Sequence, residues 1–572
     1  MNLNLETTPF SRRGSYMAIS YLPENFRGGN NREGIYWRTV HDGSPSDLIA
    51  RLTPMLDGKE VPYRYAATEA EIVISCGENQ SGEISICFGN EHFLLIRGRG
   101  SRLSLRLEGI GNGDKYTLVN RTRHAGKDCF VLNCFKNSLR CFTFAAAGTI
   151  CALQDWDGET SSHCSVDLCP ENDCFEVSIQ EDDGGLSAEL QNFQYEACRQ
   201  SAERNFQAFY RSLPTVPERY ERTREAAAYV IWSCFVKKSG FLQRDAVLMS
   251  KNWMNRVWSW DQCFNALALA WGSPAEAWDQ FMLPFDAQCE NGMLPDTVSD
   301  LGKTTSFCKP PIHGWTLLRL MKIMKISRGQ LETIYPKLAA WTNWWFNFRD
   351  SDGDGICEYF HGNESGWDNS TAFLRIPPLE TPDLSSFLVI QMDVLAEVAA
   401  RLGRPAEAEN WKERADRTLR DMLNSLFPDG LPTVRSPFDR KTVKTRSLIR
   451  FLPLLLGDRL PQKIRKSMLR LLREEKLYTE HGFATEAVDS PYYQADGYWR
   501  GPIWAPSSLL LVDALKQCGE DAWAKQAAER YCNMVQKEGC AENFNALSGT
   551  GLRDRAHTWT ASVFLLLAHG LD

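Results

Sequence analysis

The 572-residue chain carries 64 Lys and Arg against 72 Asp and Glu, a net charge of -8, with 43% hydrophobic and 24% charged residues. This is the composition of a globular protein with room for two or three domains. An acidic balance without a long basic run excludes nucleic acid and anionic membranes as expected partners. No stretch approaches the roughly 20 apolar residues of a membrane span, and the opening MNLNLETTPFSRRGSYMAIS lacks the apolar run of a secretory signal. The 18 cysteines are scattered in apolar contexts such as VIWSCFV and DQCFNAL, without CxxC pairs or zinc-type spacing. A reduced, cytoplasmic protein without disulfides is expected.

In chain order, the first part reads as strands. EIVISC, EISICF, FLLIR, RLSLRL, CFVLNCF and FEVSIQ are rich in β-branched and aromatic residues and are separated by Gly, Asn and Asp. Short strands of this kind predict an antiparallel β-sandwich over residues 1–187. From Ala188 the period becomes helical, which predicts a helical linker over 188–215. Beyond Val216 the pattern is one amphipathic helix after another, about twelve of them. Ser273, Pro274 and Glu276 have the spacing of an N-cap, first-turn proline and capping box. Leu384, Leu388, Leu395, Val398 and Leu402 form one apolar stripe, closed by Gly403. Paired helices in this number predict an (α/α)6 barrel over 216–572. Its connections alternate between short and long, as expected if the long loops gather at one end.

Those long loops hold the chemistry-bearing residues. Trp258, Trp260, Trp315, Trp367, Trp499 and Trp504 lie in or beside loops rich in charge. A sugar has apolar C–H faces and a rim of hydroxyls, so it stacks on aromatic rings and bonds to carboxylates and Arg. No GxGxxG or P-loop points instead to a nucleotide. In HGNESGWDNSTAF, Glu364 and Asp368 flank Trp367; Asp368 reads either as a turn or cap residue or as an acid in an apolar pocket. Asp261 in WSWD reads as a helix N-cap or a binder of sugar hydroxyls. Arg500 in YWRGPIW reads as a substrate ligand or a buttress. His313, His481 and His557 read as hydrogen-bonding scaffold, with His313 placed beside the site.

The motifs RVWSWDQCFNALAL, NGMLPD, KPPIHGW, DGDGICEYFHGNESGWDNS, DGYWRGPIWAP and ENFNALSGTG followed by TWTAS occur in the order seen in glycoside hydrolase family 63. The chain resembles that family, the processing and bacterial α-glucosidase group with trehalase as a cousin, from about Ala228 onward. The resemblance implies an inverting, exo-acting α-glycosidase on an (α/α)6 barrel, without a catalytic cofactor. It implies Asp368 as general acid and Glu542 as general base. Ala546 and Thr371 depart from prolines common in the family. An inverting enzyme needs its two carboxyl groups about 6.5–9.5 Å apart. The expected substrate is a short oligosaccharide or a small glucoside. Glu364, Glu480 and Glu486 are rival loop carboxylates. A sugar isomerase or epimerase, which relies on paired His, and a non-catalytic carbohydrate-binding protein are the alternatives.

RDSDGDGICEYF poses a separate question. Asp350, Asp352, Asp354, the Ile356 carbonyl and Glu358 have the oxygen chemistry of a Ca²⁺ loop, although the Glu comes too early for an EF-hand. Several members of the resembled family hold calcium in a similar loop, which implies a structural Ca²⁺ here; the other reading is a solvated acidic turn.

Overall fold

The computed structural model describes residues 1–42, 48–77, 82–124, 127–135, 139–182 and 194–571. The chain divides into two compact units. One comprises Met1–Arg211, Tyr229–Lys237 and Ser250–Asn255; the other comprises Ser212–Ala228, Lys238–Met249 and Arg256–Asp572. The sequence suggested single cuts at 187 and 215, whereas these units exchange short segments.

The first unit holds β1 (Met17–Leu22), β2 (Gly34–Thr39), β3 (Leu48–Leu56), β4 (Lys59–Glu60), β5 (Tyr63–Ala67), β6 (Ile72–Cys76), β7 (Gly82–Phe88), β8 (Phe93–Arg99), β9 (Leu103–Glu108), β10 (Leu118–His124), β11 (Lys127–Cys134), β12 (Leu139–Ala147), β13 (Thr149–Gln154), β14 (Cys164–Cys169) and β15 (Cys174–Asp182). They form two antiparallel sheets. One runs β1-β2-β3-β9-β14-β13 with β4 beside β3; the other runs β10-β11-β12-β15-β8-β7-β6-β5. Alternation places Leu103, Leu105 and Leu107 of β9 inside, as half-buried strands require. β2, by contrast, is buried at every position, so it carries no alternation and leaves no period-two signal. Helix α1 (Tyr195–Ser212) packs Tyr195 and Cys198 against Cys87 and Leu95. The residues expected to open it, 188–193, lie outside the described residues.

The helical part contains α2 (Glu221–Cys234), α3 (Asp261–Leu269), α4 (Pro274–Asp286), α5 (His313–Ile323), α6 (Arg328–Phe348), α7 (Pro382–Arg401), α8 (Pro405–Leu426), α9 (Gln462–Glu474), α10 (Ala505–Gln517), α11 (Asp521–Glu538) and α12 (Thr558–His569), with a 3-10 helix at Leu448–Arg459 between α8 and α9. The packing closes a ring: α3 on α5, α5 on α7, α7 on the 3-10 helix, that helix on α10, α10 on α12, and α12 back on α3. Outside it, α4 backs α3, α6 and α8 back α7, α9 backs the 3-10 helix, and α11 backs α10 and α12. This is the (α/α)6 barrel. Composition decides which helix goes where. Every residue of α3 is buried, so it can only be an inner helix, whereas α9 buries only Met468, Leu469 and Leu472 and can only be an outer one. Gly314 is required at one close approach, because a Cβ there would lie 2.4 Å from Gln391 Cα on α7.

Of the two expected helix ends, one forms and one does not. Gly403 (φ +78°) closes α7 with bonds from its own N–H to the Ala400 carbonyl and from Arg404 N–H to the Ala399 carbonyl, a Schellman motif. Ser273 does precede Pro274 at the start of α4, but its side chain caps nothing, because ψ is 68° there rather than extended. The capping box is formed at α6 instead, by Ser327 (ψ 159°) and Gln330. Among the described residues no helix is long and apolar enough to cross a membrane.

Candidate active site

The long loops are tied together by very short ladders. Val257–Trp258 pairs with Thr297–Val298, which pairs with Lys303–Thr304. Ile503–Trp504 pairs with Asn543–Phe544, which pairs with Gly551–Leu552. Asn369 clamps a further pair of loops: its side chain accepts from Trp499 N–H at 2.9 Å and donates to the Gly497 carbonyl at 3.0 Å. Arg500 donates to the Asn369 carbonyl at 2.6 Å, so it buttresses the loop that carries Asp368. Loops remote in sequence are thereby fixed relative to one another by backbone-directed bonds.

An aromatic cluster lies in these loops. Trp367 meets Trp499 at 4.8 Å between ring centres, and Trp499 stacks on Trp504 at 4.2 Å and 3°. Trp260 meets Trp499 at 6.4 Å and Trp559 at 6.1 Å. All five are buried, and Trp499 and Trp504 each cover a face of the other. Trp258 is half-buried. Such a cluster fixes loop positions and keeps the local dielectric low.

Three carboxylates stand together in this apolar setting. Asp261, only 3% exposed, has one oxygen (Oδ2) without a hydrogen-bond partner. It lies in the first turn of α3, where Trp260 is the N-cap and no side chain caps the helix; the capping reading of Asp261 therefore falls. Burial pushes the Asp261 carboxyl well up, Lys309 opposes this, and Asp296 and Asp368 add to it. Burial also raises the Asp368 carboxyl, opposed by Lys309 and His361 and reinforced by Asp296. Glu542 is raised to about 7 by burial first and Asp554 second, against Arg553 and a hydrogen bond with Tyr498. Tyr498 connects the set, because its raised hydroxyl pKa, caused mainly by burial, also reflects the charges of Glu542, Asp368 and Asp261. Its backbone sits at φ +62°, a conformation that non-glycine residues adopt at a cost and that clusters at functional sites. The Trp504 indole N–H donates to the Tyr498 carbonyl at 2.9 Å. The buried Lys309 bonds Asp296 at 3.2 Å and the Asn363 side chain at 2.7 Å, and it is the cation that serves Asp261 and Asp368 together.

The rival carboxylates are otherwise engaged. Glu364 receives two bonds from Arg349, the shorter at 2.7 Å, and one from Phe360 N–H at 2.8 Å. It forms a buried ion pair. Glu486 takes bonds from Thr371 and Ser490, each 2.6 Å, and Glu480 is exposed. His313 and Trp315 belong to the wall of the barrel. His313 bonds the Ser259 carbonyl at 3.2 Å and packs on Phe285, while the Trp315 indole donates to Asp513 at 3.0 Å and its ring is covered by Arg319. Burial lowers His313 to about 4 and His557 to about 3, so both are neutral imidazoles at neutral pH. Tyr498, Lys309, Asp296, Arg553 and Trp559 were not singled out from the sequence, although each lies inside or beside a motif that was. A positive φ at a tyrosine leaves no trace in sequence, and a buried lysine looks like an exposed one.

A sequence model of the mannosylglycerate hydrolase MGH1-like glycoside hydrolase domain matches residues 254–560. The chain belongs to this family. It is a glycoside hydrolase, and the matched span contains Asp261, Asp368, Tyr498 and Glu542. The chain is similar to mannosylglycerate hydrolase MGH2 of Selaginella moellendorffii, at 22% identity over 388 residues covering 54% of this chain and 79% of that protein. Among solved structures it is similar to the GH63 mannosylglycerate hydrolase of Thermus thermophilus in complex with glucose (20% identity, TM-score 0.52, 60% of this chain and 99% of that one). It is also similar to a bacterial glucoamylase complexed with acarbose (11% identity, TM-score 0.63), a match that covers 100% of this chain and 95% of that one. At these identities the solved structures speak for the fold alone.

Proposed function

We propose that this hydrolase cleaves a short α-linked glycoside, an α-glucoside of a sugar or of a small polar aglycone, in one displacement with inversion. Asp368 protonates the leaving oxygen and Glu542 deprotonates the attacking water. Asp261 holds sugar hydroxyls, and its oxygen without a protein partner supports that role. The observation that carries the reading is a pair of buried carboxyl groups, Asp368 and Glu542, each raised by burial and both within the field of the Tyr498 hydroxyl. The test is a panel of α-linked disaccharides together with mannosylglycerate and the corresponding glucoside, followed by proton NMR in the first minutes. An α-glycoside is expected to release the β-anomer first. Initial appearance of the α-anomer would sink inversion. Paired histidines, which an isomerase needs, are replaced here by single buried neutral rings. A cytoplasmic setting is part of the same proposal, supported by 18 free thiols.

The pH profile supplies a second check. Glu542 must be ionised and Asp368 protonated, so activity falls as pH drops through about 7, where Glu542 titrates. It falls again as pH rises through the raised value of Asp368. The Tyr498 hydroxyl favours the ionised Glu542. Tyr498→Phe therefore moves the acidic limb of kcat/KM upward. A limb that stays in place would show that the hydroxyl does not tune the base.

We also propose a structural Ca²⁺ in the loop Asp350–Glu358. Oxygens of Asp350, Asp352 and Glu358 lie within 4.8 Å of one another, and those of Asp352, Asp354 and Glu380 do likewise. Arg440 pairs with Asp352 and Asp354, and Arg435 with Asp354 and Glu380, so guanidinium groups already neutralise the second set. The first set shares Asp352, and so Arg440, with the second, but its Asp350 and Glu358 have no arginine partner among the described residues, which leaves it the better fit for a hard cation. Asp350 keeps an oxygen without a partner, burial raises Glu358 to about 7, and Gly353 and Gly355 turn at φ +74° and +87°. The ion would fix the base of the loop that leads to Asp368. EDTA is expected to lower the melting temperature and Ca²⁺ to restore it; unchanged melting with no metal by elemental analysis favours an arginine-neutralised turn.

A further inference from the structure

We infer that the β-sheet unit carries its own binding site for a neutral oligosaccharide, in a cleft of about 900 Å³. The cleft lies where β1, the edge of the seven-stranded sheet, faces β5, the edge of the eight-stranded sheet. Its walls include three tyrosines, Tyr21, Tyr63 and Tyr65. Tyr63 and Tyr65 alternate on β5 and both are half-buried, as two residues on one face of a strand should be. Tyr21 and Tyr65 stand with ring centres 5.7 Å apart and planes 28° apart. The N-terminal segment bonds to both edges, from Tyr21 N–H to the Leu5 carbonyl and from Leu3 N–H to the Ala67 carbonyl, so tyrosine side chains rather than open backbone line the cleft.

The polar lining narrows the ligand class. Four glutamates and three arginines line the cleft, so its charge nearly cancels. Arg51 bonds Glu60 at 2.7 Å and Glu108 at 3.2 Å, Arg32 bonds Glu60 at 2.8 Å, and the Tyr21 hydroxyl donates to Glu33 at 2.6 Å. Glu60 is matched to Arg32 and Arg51, and Glu33 to the Tyr21 hydroxyl, so these groups call for neither a metal nor an anion. Fixed carboxylate, guanidinium and phenol groups beside ring faces suit a ligand with hydroxyl rims and apolar faces. The volume is within the range of about 300–1,000 Å³ for small-molecule sites.

A cleft of about 850 Å³ between α9 and α11 makes the contrast. Its Trp523 is covered by Arg473 at 4.3 Å and its Tyr478 by Arg530 at 4.4 Å, so its rings are taken. Among the described residues no cation lies over Tyr21, Tyr63 or Tyr65.

The test uses the full chain, with Asp368→Asn and Glu542→Gln for the binding measurement so that no oligosaccharide is consumed, and with both residues intact for the activity control. Maltohexaose, cellohexaose and mannohexaose are titrated by calorimetry, with saturation-transfer NMR. At least one is expected to occupy a site that Tyr21→Ala with Tyr65→Ala weakens tenfold or more. Hydrolysis of a small aryl glycoside should stay within twofold of the parent. Tyr65→Phe keeps the ring and should keep the binding, which guards against a folding defect in the double variant. If none of the three oligosaccharides binds at millimolar concentration, or if the tyrosine variants leave all binding unchanged, the inference is overturned.

Discussion

Asp368→Asn and Glu542→Gln are each expected to lower kcat by about 10²–10⁴-fold. Each replacement keeps the volume and removes the group proposed to give or take the proton. The two are separable by leaving group. A glycosyl fluoride needs no proton at its leaving atom, so it should restore much of the rate to Asp368→Asn and little to Glu542→Gln. Neither variant should be less stable. Both carboxyl groups are held above their ordinary values chiefly by burial, so the unfolded chain ionises them at a lower pH than the folded one. The folded state then binds more protons, and stability is lost as pH rises above the unfolded values. A neutral amide removes that penalty, and the melting temperature near pH 7 should be equal or higher. Parental turnover in either variant would remove that residue from the mechanism.

Lys309→Met should be the most destabilising single change at this site, by about 3–5 kcal/mol, because it strips the cation from a buried pair. Lys309 is 4% exposed. It bonds Asp296 and lowers the pKa of both Asp261 and Asp368. Without it, those two carboxyl groups hold their protons to still higher pH in the folded state. By the same linkage, the stability deficit should be smaller near pH 5 and grow towards pH 8. The basic limb of activity should extend upward as well, since Asp368 stays protonated longer. Denaturant unfolding at the two pH values, with a kcat/KM profile, measures both effects. A deficit below about 1 kcal/mol, or one that ignores pH, would mean that water rather than Lys309 balances these charges.

The sequence by itself determined the two-part architecture and the helical barrel. Period-two strands such as RLSLRL bury one face and helices such as α9 bury one stripe; these patterns depend only on local spacing and burial. It also marked the loops WSWD, GWDNS, YWRGPIW and ENFN, which concentrate aromatic and charged residues and whose Asp261, Asp368, Tyr498 and Glu542 feel one another's charges in the fold. The fully buried strand β2 escaped, since burial on both faces removes the alternation. The tertiary structure decided which carboxylates are held in ion pairs and which are not. Glu364 and Asp368 stand four residues apart, yet Arg349 holds the first while burial, Lys309, Asp296 and His361 govern the second. It also decided that Trp315 and His313 face the wall of the barrel, and that Tyr498, Lys309 and Asp296 belong with the acids. Those assignments depend on contacts between loops more than a hundred residues apart and on the low dielectric of an enclosed aromatic cluster, neither of which is a property of any local stretch of chain.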